Sequence, residues 1–201
     1  MLKHLQVIIA AVALAMSSLV ATAADHPAQA LVEESITGML DVLKNDGERI
    51  KTDEEYLQAK IDELIVPHLD FNTMTKLAVS KFWRRADAEQ KVELVTEFKM
   101  LLLNTYTGAL NLYSGEAIAF EPFRPESRDD RAVVRSTFSQ SGGDDVPVNY
   151  KLRDNDGWSI YDIEVNQISL VTSYRAAFAN EIEKGGIAGL INTLKERNEK
   201  S

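Results

Sequence analysis

The spacing of the apolar residues changes twice along this chain, and that change restricts its fold more than any other feature. Up to about Tyr113 the apolar positions recur every three or four residues, as on one face of a helix. Ala28, Leu31, Val32, Ile36, Met39, Leu40 and Leu43 form the first stripe, and Gly47 is its predicted stop. Thr52-Asp53-Glu54-Glu55 reads as a capping box ahead of Tyr56, Leu57, Ile61, Leu64 and Ile65. Pro67 ends that helix. A short helix after Asp70 carries Phe71, Met74 and Leu77. Asp87-Ala88-Glu89-Gln90 reads as a second box. It opens the longest helix, with Val92, Val95, Phe98, Leu102, Tyr106, Ala109, Leu110 and Tyr113 in register. Leu101 and Leu103 widen this stripe, which predicts burial on more than one side.

The spacing then drops to two. Residues 116–124, 130–140, 145–153 and 157–165 read as four strands. Val146, Val148, Tyr150 and Leu152 alternate with Pro147, Asn149, Lys151 and Arg153, giving one dry face and one wet face. Asp154-Asn155-Asp156-Gly157 is a turn that folds the last two strands into a hairpin. Ser141-Gly142-Gly143-Asp144-Asp145 joins the second and third in the same way. From about Ser169 helical spacing returns through Leu170, Tyr174, Phe178 and Ile182, is broken at Gly185-Gly186, and resumes with Ile187, Leu190, Ile191 and Leu194. Four antiparallel strands in a meander, with helices packed on the dry face, define an α+β domain.

The first residues lie outside this pattern. Lys3 and His4 precede an apolar run from Leu5 to Met16, and Ala21-Thr22-Ala23 offers small residues for cleavage. Residues 1–23 therefore read as a signal peptide and 24–201 as one domain. The run is shorter than the ~20 residues a membrane span needs, which disfavours an uncleaved anchor. No Cys follows it, so a lipoprotein anchor is excluded. About 178 residues remain, enough for one core. The whole chain carries a net charge of −9, which argues against nucleic acid or an anionic membrane as partner. Without any Cys there is no disulfide, thiol catalysis or Cys-based metal site. Stability must come from the core, and 45% hydrophobic residues suffice for one.

Sequence signatures of catalysis are absent. There is no G-x-S-x-G elbow and no Gly-rich phosphate loop. His26 falls in a terminus expected to fray. His68, at a helix end, reads as a packing or capping residue. The paired acids Glu33-Glu34, Asp129-Asp130 and Asp144-Asp145 read as solubilising, and Asp53-Glu54-Glu55 as capping. Asp154-Asn155-Asp156-Gly157 fails as a calcium loop, because that register puts Leu152 and Ile163 at ligand positions. Arg84-Arg85, Arg128 and Arg131 are too few for a nucleic-acid patch. No catalytic residue, metal or cofactor is expected. What remains is a surplus of large apolar side chains, which periodicity leaves open as a filled core or a hollow one.

Five stretches, in order, resemble the MlaC family, also called the toluene-tolerance family, of Gram-negative periplasmic proteins. They are Val66-Pro67-His68-Leu69-Asp70-Phe71-Asn72-Thr73-Met74; Phe82-Trp83-Arg84-Arg85-Ala86 with Glu89-Gln90, Glu97-Phe98-Lys99 and Thr105-Tyr106; Val148-Asn149-Tyr150 with Gly157-Trp158 and Tyr161-Asp162; Ile168-Ser169-Leu170-Val171 with Tyr174-Arg175 and Phe178; and Gly186-Ile187 with Gly189-Leu190-Ile191. Two positions depart. Val79-Ser80 stands where the family commonly has Leu-Gly, and Gln167 where it commonly has Gly.

The resemblance implies a fold like that of nuclear transport factor 2, with a deep pocket between sheet and helices. It implies periplasmic phospholipid shuttling that maintains outer-membrane lipid asymmetry. The implied partners are an outer-membrane lipoprotein–porin complex and an inner-membrane ABC transporter with an MCE-domain ring. The cargo is the bound phospholipid, and the carrier is expected to be a monomer. The expected pocket residues are Phe71, Met74, Leu77 and Trp83; Phe98, Leu102, Tyr106 and Leu110 on the long helix; Val134, Val148, Tyr150, Trp158 and Ile160 on the sheet; and Tyr174 and Phe178. Two other classes stay open. One is a small-molecule enzyme using Asp70, His68 or Asp162. The other is a periplasmic adaptor or chaperone with a filled core.

Overall fold

The computed structural model describes residues 26–110, 113, 115–139 and 144–200. The expected signal peptide lies outside the described residues, as do Ser141-Gly142-Gly143. The helices are α1 (Pro27–Asn45), α2 (Gly47–Ile50), α3 (Glu54–Leu64), α4 (Phe71–Val79), α5 (Ala88–Leu110), α6 (Leu170–Ser173) and α7 (Arg175–Asn198). The strands are β1 (Ala117–Phe120), β2 (Arg131–Ser139), β3 (Val146–Asp154), β4 (Trp158–Val165) and β5 (Ile168–Ser169). They form one antiparallel sheet in sequence order, and the helices cover one face of it. This is the expected α+β, nuclear transport factor 2-like architecture, with one two-residue strand more than the alternation suggested.

Local signals account for most boundaries. The box at the start of α5 is reciprocal: Gln90 N–H donates to Asp87 Oδ1 at 2.8 Å, and Asp87 N–H donates to Gln90 Oε1 at 3.2 Å. Asp70 caps α4 by accepting from Thr73 N–H at 2.9 Å. At α3 the cap is Asp53, accepting from Tyr56 N–H at 2.9 Å, one residue later than the Thr52 expected from the box. Gly47 starts the one-turn α2, and Asp46 closes α1. His26 is anchored, not frayed. Its Nδ1 accepts from Ala28 N–H at 3.3 Å, and its ring stacks on Phe123 at 4.0 Å. The break at Gly186 is a kink with φ of 69° inside α7.

β1 is shorter than expected, because Pro122 and Pro125 cannot donate to a ladder. Glu121 N–H still bonds Arg135 C=O at 2.9 Å. The larger departure lies between β3 and β4. Leu152 faces Ile160, yet Lys151 faces Asp162, so Tyr161 is an extra residue on β4. This bulge exchanges the two faces of the strand beyond it. Ile163 and Val165 join Ile160 on the helix-covered face. Asp162 goes to the other face, where it is 4% exposed. There it accepts from Ser169 Oγ at 2.8 Å and lies 3.7 Å from Lys151 Nζ, and Lys151 also pairs with Glu164.

Three apolar clusters hold the fold together. In one, Ala28 and Val32 of α1 lie on Ala132, Val134, Val148, Tyr150, Leu152 and Ile160 of the sheet. In another, α4, α5, α6 and α7 pack through Phe71, Met74, Leu94, Phe98, Val171, Phe178 and Leu190. In the third, α1 and α3 meet through Met39, Leu43, Leu57 and Ile61. Val92 is 67% exposed despite matching the stripe of α5; Leu94, one face round, is buried in its place.

Candidate functional site: an apolar cavity between the helices

Where the three clusters meet, the packing is open. A cavity of about 530 Å³ lies there. Its walls are Ile36, Met39, Leu40 and Leu43 of α1; Ile61 of α3 and Ile65 after it; Leu69, then Phe71 and Met74 of α4; and Leu102, Leu103, Tyr106, Thr107 and Leu110 of α5. Tyr113, Glu116, Phe138, Ile163 and Leu170 complete it. Interiors normally pack at crystal-like density with few voids larger than a water. A void this large, lined by branched aliphatics and aromatics, suits an apolar ligand.

The cavity exists because α1 is used in two halves. Its N-terminal half has small residues, Ala28 and Val32, and settles onto the sheet with no exposure. Its C-terminal half carries the longer Met39, Leu40 and Leu43, which meet α3 instead of the sheet. The distal half of α5 forms the opposite wall. Its proximal half is pinned to α7 by Lys195–Glu93 at 2.7 Å and by Asn198 on Glu97. From Leu103 to Gly108 the α5 residues are half-buried or exposed, so this wall has water on its far side.

The few polar groups lie along α5 and just after it. The Tyr106 side chain lines the cavity, is 38% exposed, and has the Tyr174 phenol near it. Burial, then Tyr174, pushes the Tyr106 phenol up to about 12. Tyr113 O–H donates to Glu116 C=O at 3.2 Å. Burial, with Glu116 and Asp41 nearby, raises the Tyr113 phenol.

Of the expected pocket residues, the structure brings Phe71, Met74, Leu102, Tyr106 and Leu110 to the cavity wall. Phe98, Leu77, Trp83, Tyr174 and Phe178 pack in the α4–α7 cluster, where Phe98 meets Tyr174 and Phe178 edge-on at 5.2 Å. Val134, Val148, Tyr150, Trp158 and Ile160 pack under α1 on the sheet. Among the described residues the sheet reaches the cavity through Phe138 and Ile163. Ile163 escaped the alternation argument because of the bulge. Its only trace in the sequence is the three-residue step from Ile160. The α1 residues escaped because a helical stripe shows that a face is buried, not against what.

The residues considered for catalysis sit elsewhere. Asp70 caps α4 and bonds Arg153 at 2.8 Å across β4. Asp162 holds the β4–α6 connection through Ser169 and the Val171 N–H. His68 is half-buried in the 3₁₀ turn Val66–His68. None of the three lines the cavity.

The family model described as "MlaC protein" matches residues 33–196. The chain is 27% identical over 177 residues to the toluene tolerance protein ttg2D of Pseudomonas putida, covering 87% of this chain and 81% of that one. It is 20% identical over 170 residues to the intermembrane phospholipid transport system binding protein MlaC of Haemophilus influenzae, covering 83% and 79%. A phospholipid-binding protein from Ralstonia solanacearum, solved in complex with a phospholipid, superposes with a TM-score of 0.78 at 34% identity, covering 87% of this chain and 98% of that one. Among the described residues no helix is long and apolar enough to cross a membrane.

Proposed function

The chain belongs to the MlaC family, and from that premise we propose that it is a non-enzymatic, periplasmic phospholipid carrier. The observation that carries this reading is the apolar cavity of about 530 Å³ between α1, α3, α4 and α5. The phospholipid complex of the Ralstonia solanacearum protein, at 34% identity, supports it. Residues 1–23 act as the export signal and are removed, leaving 24–201 as the carrier. The protein delivers lipid between an outer-membrane lipoprotein–porin complex and an inner-membrane MCE-domain ABC transporter, and so maintains outer-membrane lipid asymmetry.

The mechanism needs no covalent step. Each methylene moved from water to an apolar site is worth ~0.8 kcal/mol, so acyl chains leave a membrane only for a dry cavity. Met39, Leu40, Ile61, Phe71, Met74 and Leu102 supply that surface. The headgroup stays toward water, along the half-exposed distal part of α5. Exchange requires this wall to move away from α1 and α3, because the proximal half of α5 is held to α7. Among the described residues the lining has no cation, and Glu116 is its one carboxylate.

Native mass spectrometry of the mature protein, purified from periplasm without detergent and followed by lipid extraction, tests the reading. The expected result is a stoichiometric phospholipid adduct. A clean apo mass that acquires no lipid from liposomes would remove the carrier and favour the filled-core adaptor.

A further inference from the structure

Charge is distributed unevenly on this acidic chain. Between residues 76 and 91 stand five cations, Lys76, Lys81, Arg84, Arg85 and Lys91, against Asp87 and Glu89. All five are exposed or half-exposed. Elsewhere the basic residues commonly pair with carboxylates, as in Arg49–Asp53, Arg128–Asp130, Arg153–Asp70 and Lys195–Glu93. None of these five is in an ion pair among the described residues. Three of them lie on aromatic faces: Lys81 and Arg85 over Phe82 at 4.9 and 5.6 Å, and Lys91 over Trp83 at 5.8 Å. Arg175, from α7, joins them, and its guanidinium donates to Leu77 C=O at 3.1 and 3.2 Å, closing the C-terminal turn of α4.

Two of these cations, Lys81 and Arg175, line a groove of about 450 Å³ between the 3₁₀ turn Ser80–Arg85, to which Arg84 and Arg85 also belong, and the start of α7. Its floor is Val79, Phe82, Ala176 and Ala179, and Lys81 and Arg175 stand on its rim. The small alanines leave room for an incoming apolar side chain. The rim leaves cationic heads without counter-charge.

We propose that this groove docks an acidic segment of a partner protein, which inserts apolar side chains over Phe82 and Ala176 and sets its carboxylates against Lys81, Arg84 and Arg175. A protein segment fits better than a membrane surface. The slot is concave and a few side chains wide. A flat anionic bilayer would also meet the acidic surface around the patch, whereas a narrow segment in the slot comes within a Debye length of ~8 Å of the local cations alone. α4 reaches from the cavity, through Phe71 and Met74, to the groove, through Val79, so docking bears on an element that lines the cargo site. This assignment of a docking surface rests on the carrier reading for the identity of its partner.

The test measures binding of the full mature protein to two purified probes from the same organism: the periplasmic MCE domain of the inner-membrane transporter and the outer-membrane lipoprotein. Lys81→Glu/Arg84→Glu and, separately, Ala176→Trp are compared with wild type by biolayer interferometry. Native mass spectrometry of every variant reports lipid load and folding. The expected result is that wild type binds at least one probe, more weakly as salt rises. Both variants lose about ten-fold or more in affinity and keep their lipid. Binding of neither probe by wild type, or unchanged binding by both variants, overturns the proposal. So does binding of wild type to phosphatidylglycerol vesicles that the double variant loses, which would make the patch a membrane contact. An adduct in all proteins with unchanged binding removes the docking surface alone, whereas no adduct in any removes the carrier reading.

Discussion

Ser80 links a departure in the sequence to backbone strain. It follows α4 with φ of 55° and ψ of −127°, a region that residues with a β-carbon rarely occupy. Holding a non-glycine residue there costs of order 1–3 kcal/mol. Ser80 is exposed and its hydroxyl makes no hydrogen bond among the described residues, so nothing is lost with the side chain. Ser80→Gly removes the steric cost but gives the unfolded chain more freedom, worth ~0.5–1 kcal/mol in the opposite direction. The net expectation is a gain of about 1 kcal/mol, or roughly 2–4 °C in Tm for a domain of this size. Ser80→Ala is the control, since it deletes the hydroxyl and keeps the β-carbon; it should stay within ~0.5 kcal/mol of wild type. Calorimetric melts of the three proteins, stripped of ligand to the same degree, decide it. If the glycine variant melts at or below wild type, or alanine matches glycine, strain at this turn is not what the geometry indicates.

Other perturbations have defined outcomes. Gln167→Gly, in the Asn166-Gln167 turn where both residues have positive φ (50° and 66°), should likewise raise Tm by a few degrees. Stripping lipid from the protein should lower Tm by several degrees, since saturating ligand at ~100 Kd adds about 2.7 kcal/mol; coincident melts of loaded and stripped protein would speak against a ligand-filled cavity. Asp70→Ala removes the α4 cap and leaves the half-buried Arg153 without its carboxylate, so chemical denaturation should report a loss of about 1–3 kcal/mol, with Asp70→Asn, which keeps the cap, losing less. Burial pushes the Tyr150 phenol up to about 12. Its folded-state value therefore lies above its unfolded value near 10, so its contribution is intact below pH ~10 and is lost as pH rises toward ~12, up to about 2–3 kcal/mol. Tyr150→Phe should flatten that alkaline loss in a series of melts, and an unchanged slope would assign it to other groups.

The order and type of the elements were legible because they depend on local properties. Helical spacing, the Asp87-Gln90 box, the helix start after Asp70 and the Asp154–Gly157 turn each act within a few residues and match the structure, while strand spacing holds apart from the shorter β1 and the bulge in β4. The departure at Val79-Ser80 also marked a real local feature, a turn whose backbone favours glycine. Periodicity named Phe71, Met74, Leu102, Tyr106 and Leu110, whose place on the cavity wall follows from two helices that any packing would bury. It could not say which buried faces touch each other and which leave space. That depends on α1, whose small residues settle on the sheet and fill the face where Val148 and Tyr150 lie, while its larger residues lean on α3. It depends also on the bulge at Tyr161, which turns Ile163 inward and Asp162 outward against strict alternation. A void is a property of the gaps between elements far apart in sequence, so no local pattern encodes it. The sequence by itself determined the layers and the buried stripes; the tertiary structure decided where those stripes fail to meet.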